Sequence, residues 1–123
     1  MRILIESVSK DSIPRGDVAD YAVEPDVLHI TVAELPDWRM MYAMAFHELT
    51  EYGLLKQRGI DVETVNSWDA THELKGDDPA APYHSEHLFA ENLERLFAQA
   101  LELDWTEEYG KAVDGLCEPQ NGL

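Results

Sequence analysis

Cysteine is all but absent from this chain. Cys117 stands alone among 123 residues, so an intramolecular disulfide and a thiolate zinc cage are both excluded. Positive charge is scarce as well: nine Lys and Arg face 25 Asp and Glu, a net charge of −16. A surface that grips phosphates needs cations, so direct binding of nucleic acid is not expected. Such acidity suits solubility, a basic partner, or a cation-binding site built from carboxylates. Long hydrophobic runs are missing too. Nothing approaches the roughly 20 apolar residues of a membrane span. The opening MRILIESVSK holds an apolar run too short for a signal peptide, broken by Glu6. The expectation is a cytoplasmic protein with no membrane association.

What is present points to a globular domain. Apolar residues make up 45% of the chain and charged residues 28%, a balance that excludes disorder. The length suits one domain, 1–123, with a modest core. Residues 1–35 read mainly as strands. RILIESV is rich in Ile, Leu and Val, DSIPRGD is a turn, and ADYAVE is a short strand. In VLHITVAE, Leu28, Ile30 and Val32 share one face, with His29 and Thr31 on the other. Residues 37–116 read mainly as helices. Asp37 caps a helix over 37–58 whose apolar stripe is Trp38, Met41, Ala45, Leu49 and Tyr52, closed by Gly59. A second helix, capped by Asp61, runs toward Gly76. A third begins at HSEHLF, with Leu88, Phe89, Leu93, Leu96, Phe97, Ala100 and Leu101 as its apolar face, and WTEEYGKAVDGL forms a short last helix. Residues 117–123 read as a flexible tail. The expected fold is α+β: a small antiparallel sheet of two or three strands against about three helices.

The stretch MAFHELTEYGLL puts chemistry inside an apolar helix. His47 and Glu51 are one turn apart on one face, with Glu48 beside the histidine. A zincin helix carries His-Glu-x-x-His: two histidines hold zinc from successive turns, and the glutamate activates the attacking water. Here the second histidine is Glu51. A carboxylate still ligates zinc, and also suits Mn²⁺ or Fe²⁺. The third ligand has to come from elsewhere, and YHSEHLFAE offers His84, Glu86 and His87. The positive end of the helix that starts there keeps a histidine neutral, as a metal requires. Asp69, following Trp68, is a further candidate because aspartate is a poor mid-helix residue. His29 and His72 read as surface residues.

HELTEYGLLKQRGI, VNSWDATHE and GDDPAAPYHSEHLFAENLERLF together resemble a group of small uncharacterised phage and prophage proteins. These share a His-Glu-Leu-x-Glu helix, an aromatic–Asp pair and a Pro-Tyr-x-x-Glu-His segment. The resemblance marks His47, Glu48, Glu51, Trp68, Asp69, Pro82, Tyr83, Glu86 and His87, and favours His87 over His84. It implies a source and a residue set, not a reaction. A more distant resemblance, to zincin metallopeptidases, covers the five motif residues alone.

Three functions fit. The first is a small metal-dependent hydrolase acting on a protein or peptide. His47, Glu51 and His87 hold a divalent metal (zinc, or else Mn or Fe), Glu48 is the general base, and Tyr83 donates to a developing oxyanion. VLHITVAE then supplies an edge strand for the substrate. The second is a non-enzymatic acidic phage accessory protein that binds a basic host protein or mimics DNA. The third uses the metal for structure alone.

Overall fold

The computed structural model describes residues 1–14 and 17–117. Part of the expected DSIPRGD turn (Arg15 and Gly16) and residues 118–123 of the expected tail lie outside them. The elements are β1 (Arg2–Val8), β2 (Ala19–Glu24), β3 (Val27–Ala33), α1 (Trp38–Gln57), α2 (Val62–Asp69), α3 (His84–Ala100) and α4 (Lys111–Cys117). The α+β class is as expected. The sheet order is β1-β3-β2, and the sheet is mixed: β2 pairs antiparallel with β3, but β1 pairs parallel, Arg2 opposite Val27 through Val8 opposite Ala33. β1 ends at Val8 opposite Ala33 and β2 begins at Ala19 opposite Val32, so the loop between them crosses the end of β3 and β2 brings the chain back along its other side. VLHITVAE is therefore the central strand, not an edge. The free edge nearest the helices belongs to β2.

The predicted face of β3 is the one that packs. Leu28, Ile30 and Val32 are buried against the helices, while His29 turns away and pairs with Glu6 of β1 at 2.7 Å. β1 exposes Ile3, Leu4 and Ile5. A tight turn with Asp26 at φ 65° joins β2 to β3, an αL conformation that aspartate tolerates better than most residues.

α1 starts and stops where its caps require. Asp37 accepts a hydrogen bond from the Arg39 N–H at 2.9 Å, and Gly59 follows the helix at φ 69°, the left-handed conformation glycine adopts without strain. Its buried face takes in part of the expected apolar stripe, with Ala45 and Tyr52 buried and Met41 and Leu49 packed against the core, but it extends beyond that stripe. Trp38 is 62% exposed, whereas Met40, Ala43, Met44, His47, Glu51 and Leu55 are buried. Those positions follow helical spacing, so the two polar residues sit on the packed face itself. α3 departs in the same way. Leu88, Phe89 and Leu96 are exposed, and its buried residues are Glu86, Ala90, Glu94 and Ala98. The small alanines at this seam let α1 and α3 lie close, and the space left is filled by carboxylates and imidazoles.

α2 ends at Asp69, well before Gly76. The chain then turns through a short 3₁₀ segment, Lys75–Asp77, before α3. Trp68 anchors that turn by donating from its indole nitrogen to the Lys75 carbonyl at 3.0 Å. His72 stacks flat on the Trp68 ring. After α3, residues Trp105–Gly110 form a π-helical turn that leads into α4, with Asp104 capping it through the N–H groups of Thr106 and Glu107. No helix of the described residues is long and apolar enough to cross a membrane.

Candidate metal centre

α1 and α3 run antiparallel, and their facing side chains bring His47, Glu51 and His87 together. One coordinating atom from each lies within 4.8 Å of the other two, so the group could hold a metal ion. The Glu51 Oε1 and His87 Nδ1 atoms are 3.2 Å apart. Ligand atoms around a tetrahedral ion with bonds of 2.0–2.1 Å lie about 3.3 Å apart, so this separation suits a shared ion. His47 and Glu51 are 8% and 5% exposed.

Each histidine is oriented through its other nitrogen. His47 Nδ1 is 2.7 Å from Glu94 Oε1, which leaves Nε2 for the centre. Glu94 is in turn fixed by the Tyr109 hydroxyl, which donates to Oε2 at 2.5 Å. His87 Nε2 lies 3.0 Å from Asp77 Oδ1, which leaves Nδ1 facing Glu51. Carboxylates behind ligating histidines set the tautomer and raise ligand basicity. Gly76 holds the His87 ring closely: a Cβ there would lie 2.6 Å from its Cγ, 2.8 Å from Nδ1 and 2.9 Å from Tyr83 Cε2.

Burial alone would lower the pKa of His47. The Glu94 hydrogen bond and the charges of Glu48, Glu94 and Glu51 outweigh it and carry the pKa up to about 9. His87 is also raised: burial opposes the shift, and the Glu51 hydrogen bond with the Glu51 and Asp77 charges drives it. The helix end was expected to keep His87 neutral, but the carboxylates around it decide the matter. A metal ion entering this centre must therefore displace protons.

Glu48 lines the same cavity. Desolvation pushes its carboxyl up to about 8, with Glu51, Asp20 and Glu94 adding to the rise and His47 opposing it. It carries no side-chain hydrogen bond to a described residue. The other expected residues divide. Tyr83 is buried and lines the cavity, with its hydroxyl donating to Asp69; burial and Asp69 push its pKa up. Asp69 therefore stands behind Tyr83 rather than in the ligand group. His84 stands outside the ligand group and the cavity lining, with its Nδ1 bonded to the Gly76 carbonyl at 2.8 Å. Glu86 is buried in an ion pair with Arg58 at the far end of the helix pair.

Glu94, Tyr109, Asp77 and Gly76 are not evident from the sequence. Only Glu94 leaves a usable signal there, since it lies seven residues beyond His87 and so on the same face of α3. The other three come from turns whose path is set by tertiary packing.

The cavity around this group measures about 390 Å³ and is bordered by β2, α1, α2, the 3₁₀ turn, α3 and the start of α4, a size within the usual range for small-molecule sites. No family model, curated protein or solved structure matches the chain.

Proposed function

We propose that this protein is a small metal-dependent hydrolase of zincin-like type, acting on a peptide, with the phage-protein resemblance as its source. The observation that carries the reading is the convergence of His47, Glu51 and His87 on a cavity that Glu48 also lines. Zinc is the preferred ion, because two imidazoles and one carboxylate match an open catalytic zinc site; Mn²⁺ and Fe²⁺ accept the same donors.

A bound divalent ion would supply Lewis acidity toward a substrate carbonyl. The chain's residues would do the rest. His47, Glu51 and His87 hold the ion, with Glu94 and Asp77 fixing the two rings. Glu48, one residue from a proposed ligand yet without a side-chain hydrogen-bond partner among the described residues, takes a proton from the attacking water. It returns that proton to the departing amine, so one water is added across the C–N bond. Its carboxyl is raised to about 8 in the metal-free protein, and the positive charge of a bound ion would lower it again, leaving a carboxylate to act as base near neutral pH. The outer edge of β2 borders the cavity through Ala19, Asp20 and Tyr21 and would pair with an extended peptide backbone.

The test is metal analysis of protein purified without chelator or nickel resin, followed by assay of fluorogenic peptide mixtures with wild type and Glu48→Gln. One equivalent of transition metal in both, with cleavage by the wild type alone, is the expected result. Absence of bound metal in both overturns the proposal.

A further inference from the structure

The cavity's lining is unusual in its charge and in one unpaired hydroxyl. Nine of its lining residues are carboxylates, and Lys75 is the one Lys or Arg among the described residues there. Lys75 is tied to Asp17 in an ion pair. Even with a divalent ion bound and Glu48 protonated, carboxylates outnumber cationic groups among the described lining residues. An anionic substrate would meet repulsion at close range in a site partly shielded from solvent, and a cationic one attraction.

Tyr21 supplies the second observation. Its ring projects from β2 against Tyr52, with centroids 5.9 Å apart, and the residue is 94% buried. Among the described residues its hydroxyl is the one buried side-chain nitrogen or oxygen without a hydrogen-bond partner. The groups whose charges act on it, Glu51, Glu48, Tyr83 and Asp69, all line the cavity. Burial, reinforced by those charges, raises its pKa, so it stays protonated and remains a donor. A buried donor without an acceptor is costly to the empty protein, and an incoming carbonyl oxygen would supply what it lacks.

We propose that the cavity selects a cationic peptide, whose ammonium or guanidinium group is received by the carboxylate wall and whose backbone carbonyl accepts from Tyr21. This rests on reading the cavity as the substrate site.

The experiment measures binding by calorimetry for three hexapeptides that differ only in bearing two lysines, two glutamates or two glutamines. It is run on wild type in chelator, where no metal-dependent turnover occurs, and on zinc-loaded Glu48→Gln. The lysine peptide is expected to bind at least tenfold tighter than the glutamate peptide in both, and to weaken with added salt. Removing two rim charges together, Glu91→Gln with Asp114→Asn, should weaken lysine-peptide binding by about fivefold or more. Tyr21→Phe should weaken it without lowering the melting temperature of the empty protein, since the change removes an unpaired polar atom. Equal binding of the three peptides overturns the proposal, and unchanged affinity in Tyr21→Phe overturns the role of that hydroxyl. Charge selection without zinc binding would leave this inference standing while the metal reading falls. Zinc binding without charge selection would do the reverse.

Discussion

Gly76→Ala is a small change with a large expected effect. The added methyl would lie 2.6 Å from His87 Cγ, and ordinary contact begins near 3.4 Å. The ring must therefore retreat by about 0.8 Å, whereas a working metal site tolerates roughly 0.2 Å in its ligand distances. Tyr83, at 2.9 Å from the same methyl, blocks part of the retreat. Gly76 is not in the left-handed backbone region, so the effect is steric. Disturbing the surroundings of a ligand commonly costs 10- to 100-fold in metal affinity; here a ligand itself moves, so the loss should be at least tenfold. Overpacking should cost about 1–3 kcal/mol of stability. The assay is a competition titration with a chromophoric zinc chelator, paired with thermal melts in chelator. Gly53→Ala is the control: it lies on α1 beside Glu51, where nothing stands within 4 Å of the new methyl, and should gain about 0.5–1 kcal/mol with unchanged zinc affinity. Zinc affinity within twofold of wild type in Gly76→Ala would refute the placement of His87 in the centre.

Glu48→Gln should keep zinc and lose about 10²- to 10⁴-fold in peptide hydrolysis, while His47→Ala should lose the zinc; equal metal loss in both, measured by elemental analysis, would make Glu48 a ligand. Tyr109→Phe should weaken zinc binding by roughly tenfold through the loosened Glu94, read by the same chelator titration. For metal-free protein, the raised His47 pKa gives a stabilisation fully present below pH 6.5 and lost as pH rises through about 9, and the raised Glu48 pKa acts in the same direction between 4.5 and about 8. Melting temperature in chelator should therefore fall from pH 6.5 to 9 while zinc affinity climbs; a chelator melt that rises over that interval would contradict the assignment.

The strands, the caps of α1 and the shared face of His47 and Glu51 were legible in the sequence because each has a local cause. Alternation marked the inward face of β3, Asp37 and Gly59 bounded α1, and the one-turn spacing of His47 and Glu51 put them side by side. The polar part of the buried face of α1, and the buried face of α3, were not legible. Hydrophobic periodicity assumes that apolar residues face the core, and here the packed seam carries His47, Glu51, Glu86 and Glu94 while Trp38 and Phe89 face outward. The parallel pairing of β1 was hidden as well, since alternation says nothing of strand direction. Nor does local pattern reveal that Tyr109 reaches back to Glu94 across 15 residues.

Along the seam between α1 and α3 the polar pairs form successive rungs. Arg39 donates to the carbonyls of Leu101 and Glu102 at one end, His47 meets Glu94, Glu51 meets His87, and Arg58 meets Glu86 at the other. An apolar seam slides at modest cost, since one leucine contact resembles the next. Moving α1 by one turn against α3 would break all four rungs at once and strand carboxylates in a closed interface. The ladder thus acts as a key that admits one register of the two helices, and that register is the one that brings His47, Glu51 and His87 together.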